Sequence, residues 1–470
     1  MIQAASDLRT LWFMGAKTRL IDGFIDGAVR DLVSPGATVL DLCSGTAVVG
    51  RSLAHHYRVF ANDVQGFATT LARAHLEGDA AWREALESLD PIADLDRAFR
   101  ANFECLERLV AQPLAVETDT LPRVVAELAA GAPGRATEDY RRFLEASPSL
   151  EDPTRGHGSL YAGMESLFDG FLRERRQHPE TLPYGMFTLY YHNVYFGLRQ
   201  SLVIDAFRAA IARLPAEDPL AHRKRTLYLA ALLHAVSIST SGTSHFAQPR
   251  SLRKNSELLA VARRRGIDID LEFHRALDAI RREWAGRPQH FDHRAFCGEG
   301  EALLAEGSAL RHESIDLVYL DPPYTSDNYS RFYHVLETLV EYDYPELEHR
   351  AGRPTRGVYP VLDRRYQSRF CRSDSVEAAF RTVAQRTAAR GSALLVSYSE
   401  ESGLLLKNWR QQGESNPLRR FGQLFRDSYE RVEVRDRELM HSGQGDSNRK
   451  VRELLVLCES PRVGDADCAT

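Results

Sequence analysis

The segment LDPPY, residues 320–324, combines groups that suit a planar ligand bearing an exocyclic amine. Asp321 supplies a hydrogen-bond acceptor and Tyr324 supplies a flat ring. Pro322 and Pro323 have no backbone N–H and fix φ at about −65°, so they end the preceding apolar strand and leave carbonyl oxygens without a local partner. The alternative is that DPPY is only a tight surface turn.

Acids also end two other apolar segments. Asp41 closes the strand in GATVLD, and Asp63 closes YRVFAND. The gap between them fits one helix, which predicts a βαβ unit with parallel strands. Ligands of such sheets bind outside the carboxyl ends of the strands, so we expect Asp41, Asp63 and Asp321 at one edge. Asp41 and Asp63 could instead only cap the turns that follow them.

The turn between the first strand and its helix reads CSGT, and Gly45 permits close approach of a ligand to the backbone. Asp63 could accept hydrogen bonds from ribose hydroxyls. A dinucleotide site would favour G-x-G-x-x-G, whereas the chain offers SGTAVVG, and there is no Walker lysine. Glu299 follows the strand RAFCG and is a further candidate for the ligand site, with Glu301 as its alternative.

Strand patterns return only late in the chain, near 291–297, 314–320, 392–398, 429–435 and 451–458, and the last two look like a hairpin at a sheet edge. Residues 76–285 show mostly helical periodicity. The pattern predicts one α/β domain, residues 1–75 and 286–470, interrupted by a large helical insertion at 76–285.

Composition narrows the class of protein. The six cysteines of the 470-residue chain are scattered and include no CxxC pair, which argues against a disulfide framework or a zinc cluster and fits a reducing cytoplasm. No apolar run approaches the roughly 18 residues of a membrane span. The first residues lack a signal-peptide layout. We therefore expect a cytoplasmic protein with no membrane contact.

Charge is unevenly distributed along the insertion. Residues 76–170 contain 9 Lys and Arg against 19 Asp and Glu, whereas residues 171–287 contain 19 against 11. The basic part includes HRKR at 222–225 and RSLRK at 250–254. Such a local basic field could hold a phosphate backbone, although solvated helix faces would give the same pattern.

Together these motifs resemble the DNA adenine-N6 methyltransferases of the Dam-like group. FMGAK at 13–17 is similar to the family's motif X, DLCSGTAVVG at 41–50 to motif I, and ND at 62–63 to motif II. DPPY is the family's catalytic motif IV. The chain also has the family's order, with a target-recognition insertion before motif IV. The resemblance covers roughly residues 8–75 and 286–400, and is looser within the insertion.

The resemblance implies a Rossmann-like sheet that binds S-adenosyl-L-methionine and a methyl transfer to N6 of a flipped-out adenine. Asp321 and the Pro322 carbonyl would accept hydrogen bonds from the amine, and Tyr324 would stack on the base. Transfer would be direct, without a covalent enzyme intermediate or a metal. The residues expected to bind the cofactor are Trp12, Phe13, Gly15, Lys17, Asp41, Ser44, Gly45, Thr46, Asp63 and Glu299.

Several of these residues have simpler interpretations. Trp12 and Phe13 could be plain core, and Lys17 could be a solvated lysine, although its place in FMGAK favours a role near the cofactor and the catalytic turn. Motif I usually reads GTG, and here Ala47 replaces the second glycine. Cofactor binding should survive if this position has φ below zero, and should be weakened if it needs a positive φ.

The insertion is expected to bind double-stranded DNA, through candidates His245, Arg250, Arg253 and Lys254. His245 could instead be an ordinary polar loop residue. A cognate restriction or defence component is a further conceivable partner. Three alternatives remain open: a cytosine-N4 methyltransferase, an RNA base methyltransferase, and a non-catalytic DNA-binding module on the same fold.

Overall fold

The computed structural model describes Leu11 and residues 17–147, 184–243, 245–288, 290–442 and 448–462. The chain divides into two compact units. The sheet unit comprises residues 13–79, 284–329 and 366–470, and the helical unit comprises residues 1–12, 80–283 and 330–365. The sequence pattern assigned residues 330–365 to the α/β domain, whereas the structure groups them with the helical unit.

Nine strands occur in the described residues. They are β1 Thr38–Asp41, β2 Arg58–Asp63, β3 Arg294–Cys297, β4 Leu317–Leu320, β5 His349–Arg350, β6 Arg353–Pro354, β7 Ala393–Ser399, β8 Tyr429–Ser442 and β9 Asn448–Pro461. β5 and β6 form a small antiparallel pair within the helical unit.

The other seven strands form one sheet in the order β3-β2-β1-β4-β7-β9-β8. The first five run parallel, and β9 is antiparallel to both β7 and β8. The predicted fold class, a mostly parallel α/β sheet with a C-terminal edge hairpin, is confirmed. The strand order reverses between β1 and β4, and such a reversal opens a crevice at the carboxyl ends of the strands where ligands bind.

Both faces of the sheet are buried. Leu40, Val318 and Val396 pack into one apolar cluster, and their neighbours Val39 and Leu317 pack into another on the opposite face. Alternate residues of a strand point to opposite faces. This double burial explains why the central strands are continuous apolar runs, as expected of a parallel sheet covered on both sides.

Helices of the sheet unit cover these faces. Its α-helices are Thr18–Leu20, Asp26–Leu32, Val48–Leu53, Gly66–Leu76, Gly300–Leu303, Val376–Ala389, Leu404–Gln411 and Pro417–Phe425, with a π-helical turn at Ile21–Ile25 and a 3-10 turn at Arg369–Cys371. The helices Val48–Leu53 and Gly66–Leu76 directly follow β1 and β2 and so complete the predicted βαβ pattern.

The helical unit is built around long helices. Among the residues that the structure describes, its α-helices are Ala80–Glu87, Pro91–Ala129, Arg135–Ala146, Met186–Tyr190, Leu198–Ala212, Ala221–Ser239, Asn255–Arg265, most of Ile269–Gly286 and most of Tyr329–Glu341, with a 3-10 turn at Leu362–Arg364. Over the described residues, no helix is both long and apolar enough to cross a bilayer.

A buried carboxylate ties three segments of the helical unit together. Asp205 accepts hydrogen bonds from the backbone N–H groups of Phe187 and Thr188, at 2.8 and 2.9 Å, and from the Tyr342 hydroxyl. Burial raises the pKa of Asp205 to about 6, against the effect of these donors. The contact with Tyr342 is one reason why residues 330–365 belong to this unit.

Candidate active site

The DPPY turn begins where β4 ends. Leu320 is the last residue of β4, and the prolines of DPPY then prevent further strand pairing. Asp41 ends the neighbouring strand β1 and lies in register with Tyr319, and the Leu42 N–H donates to the Tyr319 carbonyl at 2.9 Å. The structure therefore brings Asp41 and Asp321 to the two sides of the point where the strand order reverses.

Lys17 lies between two carboxylates in this site. Its Nζ is 2.8 Å from Asp321 Oδ1 and 2.9 Å from Glu453 Oε1, and its side chain is only 4% exposed. Burial alone would lower the pKa of Lys17, but the charges of Asp321 and Glu453 raise this pKa well above its usual value. Lys17 is therefore a buried ammonium, and it contacts the first residue of the DPPY turn.

Asp321 has an unusual acidity for an aspartate. Burial raises its pKa to about 6, although the ammonium of Lys17 opposes this shift. The negative charge of Glu453 adds to the increase. Asp321 is therefore mostly ionised at neutral pH, and it loses this charge as the pH falls through about 6.

Tyr324 is held by the helix that follows β7. Its carbonyl accepts the N–H of Leu404, the first residue of that helix, at 2.8 Å. The Lys17 ammonium lies 5.5 Å from the centre of the Tyr324 ring, within the range of a cation–π contact. The ring itself is partly buried and packs against the apolar cluster that contains Leu320 and Tyr398.

The turn after β1 is organised by two carboxylates. Asp41 Oδ2 accepts the Gly50 N–H at 3.2 Å. Burial raises the pKa of Asp41 to about 8, and the charge of Asp321 adds to this shift. Asp63 Oδ2 accepts the Gly45 N–H and its Oδ1 accepts the Gln65 N–H, both at 2.9 Å. Both acids therefore support their turns, which leaves a further role in ligand binding as a prediction.

Two features of this turn concern ligand binding. The Ser44 hydroxyl is buried and has no hydrogen-bond partner within the part of the chain that the structure describes. Gly45 and Ala47 both have positive φ, 51° and 57°. Ala47 thus takes the conformation for which we expect weakened cofactor binding, since its Cβ strains a left-handed backbone. Thr46 between them is buried.

Asn62 was not singled out from the sequence, yet it joins two strand ends. Its amide donates to the carbonyls of Leu42 and Gly298, both at 3.0 Å, and it is 1% exposed. Its place in ND, beside Asp63, was the feature of the sequence that could have pointed to it.

The two acids near Gly298 differ in their surroundings: Glu299 is exposed, whereas Glu301 forms an ion pair with Arg369.

The candidate DNA-binding residues lie in the helical unit. His245 Nδ1 accepts the Ala247 N–H at 3.2 Å, and its ring lies 4.6 Å from that of Phe332. Arg250 donates to the Gly242 carbonyl at 2.9 Å and pairs with Glu257 at 3.0 Å. The guanidinium of Arg250 therefore has partners within the protein.

Arg253 and Lys254 differ from Arg250 because both are exposed. Arg141 anchors the backbone beside them through the carbonyl of Arg253, at 3.2 Å, and also contacts Leu252 and Asn255.

Three residues expected from the sequence to bind the cofactor, Trp12, Phe13 and Gly15, lie outside the described residues.

Comparison with known proteins supports the interpretation of these motifs. Residues 292–385, which include DPPY, match the family model of the D12 class N6 adenine-specific DNA methyltransferases. The chain is 23% identical over 397 residues to the type II methyltransferase M.FokI of Planomicrobium okeanokoites, covering 84% of this chain and 45% of that protein.

A second relative is the modification methylase LlaI of Lactococcus lactis subsp. lactis. It is 28% identical over 240 residues, which cover 49% of this chain and 33% of that protein. The chain thus spans less than half the length of each of these two relatives. The predicted resemblance to the N6-adenine DNA methyltransferases is confirmed by these matches.

Proposed function

We propose that the protein is a site-specific DNA methyltransferase that transfers a methyl group from S-adenosyl-L-methionine to N6 of adenine. The single observation that supports it most is the position of Asp321: a partly buried carboxylate, in contact with a buried lysine, at the strand-order reversal of an α/β sheet. The family match covers this same turn. A DNA substrate would place the protein in the cytoplasm.

The DPPY residues would act on the amine of a base that has left the duplex. An enzyme cannot reach the adenine amine inside the stack, so the base must be flipped out. Asp321 and the Pro322 carbonyl would accept hydrogen bonds from N6, which localises the nitrogen lone pair and orients it. Tyr324 would stack on the base, a contact worth about 1–3 kcal/mol. N6 gains one methyl group and loses one proton in the reaction.

The turn after β1 fits an adenosyl cofactor. The Ser44 hydroxyl is buried without a partner within the described residues and so is available to a polar ligand atom. Gly45 permits a close approach of the backbone, and Asp63 retains lone pairs for ribose hydroxyls beside its two backbone donors. When bound, S-adenosyl-L-methionine supplies the electrophilic methyl group.

Replacing Asp63 by alanine should weaken S-adenosyl-L-methionine binding by roughly 10- to 100-fold, because a hydrogen bond to a charged group contributes about 1.5–3 kcal/mol. Isothermal calorimetry would measure the dissociation constant. Asp63→Asn is the matched variant, since it keeps the size and one acceptor oxygen and should lose less affinity. An unchanged constant in both variants would mean that Asp63 only caps the turn.

The basic part of the helical unit is proposed to hold the DNA backbone. Replacing Arg253 or Lys254 by alanine should weaken binding to all sequences alike. The slope of the logarithm of the binding constant against the logarithm of the salt concentration should become less steep by roughly 0.9 for each phosphate that is no longer neutralised. Both side chains are exposed, so the fold should be unaffected. Binding would be measured at several salt concentrations on duplexes of different sequence.

Arg250→Ala is a useful comparison, because this arginine contacts Gly242 and Glu257 within the protein. Its loss should lower thermal stability more than the loss of Arg253 does. If Arg250 also reads a guanine edge, its replacement should cost about 1–3 kcal/mol at one position of the recognition site. Unchanged affinity and salt slope in all three variants would place the DNA interface elsewhere, for example at residues 441–450.

The function as a whole is tested by expressing the chain in a host without DNA methylation and sequencing its DNA by a method that detects modified bases. N6-methyladenine in one sequence context, absent with the Asp321→Ala variant, is the expected result. N4-methylcytosine would establish the cytosine alternative. Methylated RNA with unmodified DNA would establish the RNA alternative, and no modification would favour a non-catalytic module.

A further inference from the structure

Glu453 lies in the edge hairpin, far along the chain from every motif. It is a residue of β9, where it lies opposite Ser399 of β7. It is only 7% exposed. A glutamate is rarely buried to this extent unless it is paired, and no sequence motif assigned the hairpin a part in the chemistry.

The partners of Glu453 are specific. Its Oε1 is 2.9 Å from Lys17 Nζ and 2.8 Å from the Ser397 hydroxyl, which donates to it. The same Lys17 ammonium is 2.8 Å from Asp321 Oδ1. Glu453, Lys17 and Asp321 therefore form one row of alternating charge, with two carboxylates on one ammonium, in which Lys17 and Glu453 are buried and Asp321 is partly buried.

This row determines which carboxylate oxygen of Asp321 is available to a substrate. Lys17 occupies Oδ1 of Asp321, which leaves Oδ2 for a hydrogen bond from a substrate amine. Without Glu453, the long side chain of Lys17 would have only one anionic contact to fix its position. Buried ions need such multiple contacts, because removing them from water is expensive.

We propose that Glu453 is a positioning residue for methyl transfer, which holds the Lys17 ammonium against Asp321 and so fixes the catalytic carboxylate in place. This inference rests on the proposed function. The edge hairpin thereby contributes to the active site, as well as completing the sheet.

The charge of Glu453 has a separate, measurable effect. The titratable groups that interact with Asp321 are Lys17, Glu453, Asp41, Cys43, Tyr319 and Tyr324. Among them Glu453 contributes to raising the pKa of Asp321 and Lys17 contributes to lowering it. Removing only the charge of Glu453 should therefore lower the pKa of Asp321.

Two variants separate position from charge. Glu453→Gln keeps the shape and an oxygen that can accept from Ser397 and Lys17, so its rate constant at neutral pH should fall less than that of Glu453→Ala. The acid limb of its pH profile should shift to lower pH. Glu453→Ala removes the contact altogether. It should lower kcat by about 10- to 100-fold, because small misplacements of reacting groups have effects of this size, with little change in KM for S-adenosyl-L-methionine.

The experiment is methyl transfer to a DNA duplex across the acid limb, with the wild type, both Glu453 variants and Glu459→Gln. Steady-state measurements give kcat and KM, and single-turnover measurements give the rate constant of the transfer step. Glu459 also lies on β9 and pairs with Arg431 at 2.7 Å, so it is a matched control that should behave as the wild type. An acid limb and a kcat equal to those of the wild type in both Glu453 variants would overturn the proposal.

A second readout does not depend on turnover. In a crystal structure of Glu453→Ala, the Lys17 ammonium should have changed its position relative to Asp321 Oδ1, and an unchanged position would overturn the inference by itself. An inactive wild type would instead count against the proposed function. The two failures are therefore distinguishable. If the alanine variant does not fold, the shift of the acid limb in the isosteric Glu453→Gln variant tests the proposal.

Discussion

Asp321→Ala is expected to reduce methyl transfer by at least about 100-fold. The carboxylate would bind the amine that becomes the nucleophile, and the loss of one group aimed at charge that develops in a transition state typically costs about 10²–10³ in kcat. The variant should still fold. The Asp321 carboxylate is itself destabilised by burial, as its raised pKa of about 6 indicates, and Lys17 keeps Glu453 as a partner after the change.

A radiolabelled-methyl assay measures the loss, and calorimetry shows whether the cofactor still binds. The dissociation constant for S-adenosyl-L-methionine should change little, because Ser44, Gly45 and Asp63 are untouched. Asp321→Asn is the matched variant: it keeps the shape and one acceptor oxygen but loses the charge, so its rate should lie between those of the wild type and the alanine variant. Turnover like that of the wild type in Asp321→Ala would contradict the assignment of the catalytic turn.

The sheet was the most predictable part of this molecule. The central strands are buried on both faces, so they appear in the sequence as continuous apolar runs, and an acid or a proline marks the point where each one ends. These local signals located β1, β2 and β4 and their carboxyl ends. The edge hairpin was also predicted, from two strand patterns joined by a polar segment.

Contacts between distant segments were not predictable in the same way. Glu453 appears in the sequence as one polar residue in a strand, and only the pairing of β9 with β7 brings it to Lys17. The grouping of residues 330–365 with the helical unit depends on contacts such as Tyr342 with Asp205. The sequence could not predict that Ala47 has a positive φ, because alanine does not itself indicate that conformation.

The sequence also could not distinguish an arginine that binds DNA from one that supports the fold. Arg250 and Arg253 lie three positions apart in the same basic segment. Arg250 is held by Gly242 and Glu257, whereas Arg253 is exposed. Charge patterning detects the basic segment, but the partners of each side chain depend on the surrounding loops.

Lys17→Met should be the most destabilising of the substitutions considered. It removes the ammonium from between Asp321 and Glu453 and leaves two buried carboxylates that repel each other. Loss of one partner from a buried ion pair typically costs about 3–5 kcal/mol. Denaturant unfolding at neutral pH should show a decrease of this order in the free energy of unfolding. Lys407→Met, at an exposed lysine of the same unit, is the control and should have almost no effect.

The pH dependence of this decrease in the free energy of unfolding gives a stricter test. Without Lys17, the pKa of Asp321 should rise above its present value of about 6, further from the value of about 3.9 in the unfolded chain. Between these values the folded state binds more protons than the unfolded state, so the stability of the variant falls as the pH rises through this window. The loss of stability relative to the wild type should therefore be largest above the window and should shrink in acid, where Asp321 is protonated.

The same repulsion predicts a rescue. Adding Glu453→Gln to Lys17→Met removes one of the two facing charges, so the double variant should be more stable at neutral pH than Lys17→Met alone. Additive effects of the two substitutions would contradict a direct coupling, because residues in contact are expected to show an interaction energy in a double-mutant cycle. Methyl transfer should stay impaired even where stability recovers, since the double variant still lacks the cation that contacts Asp321.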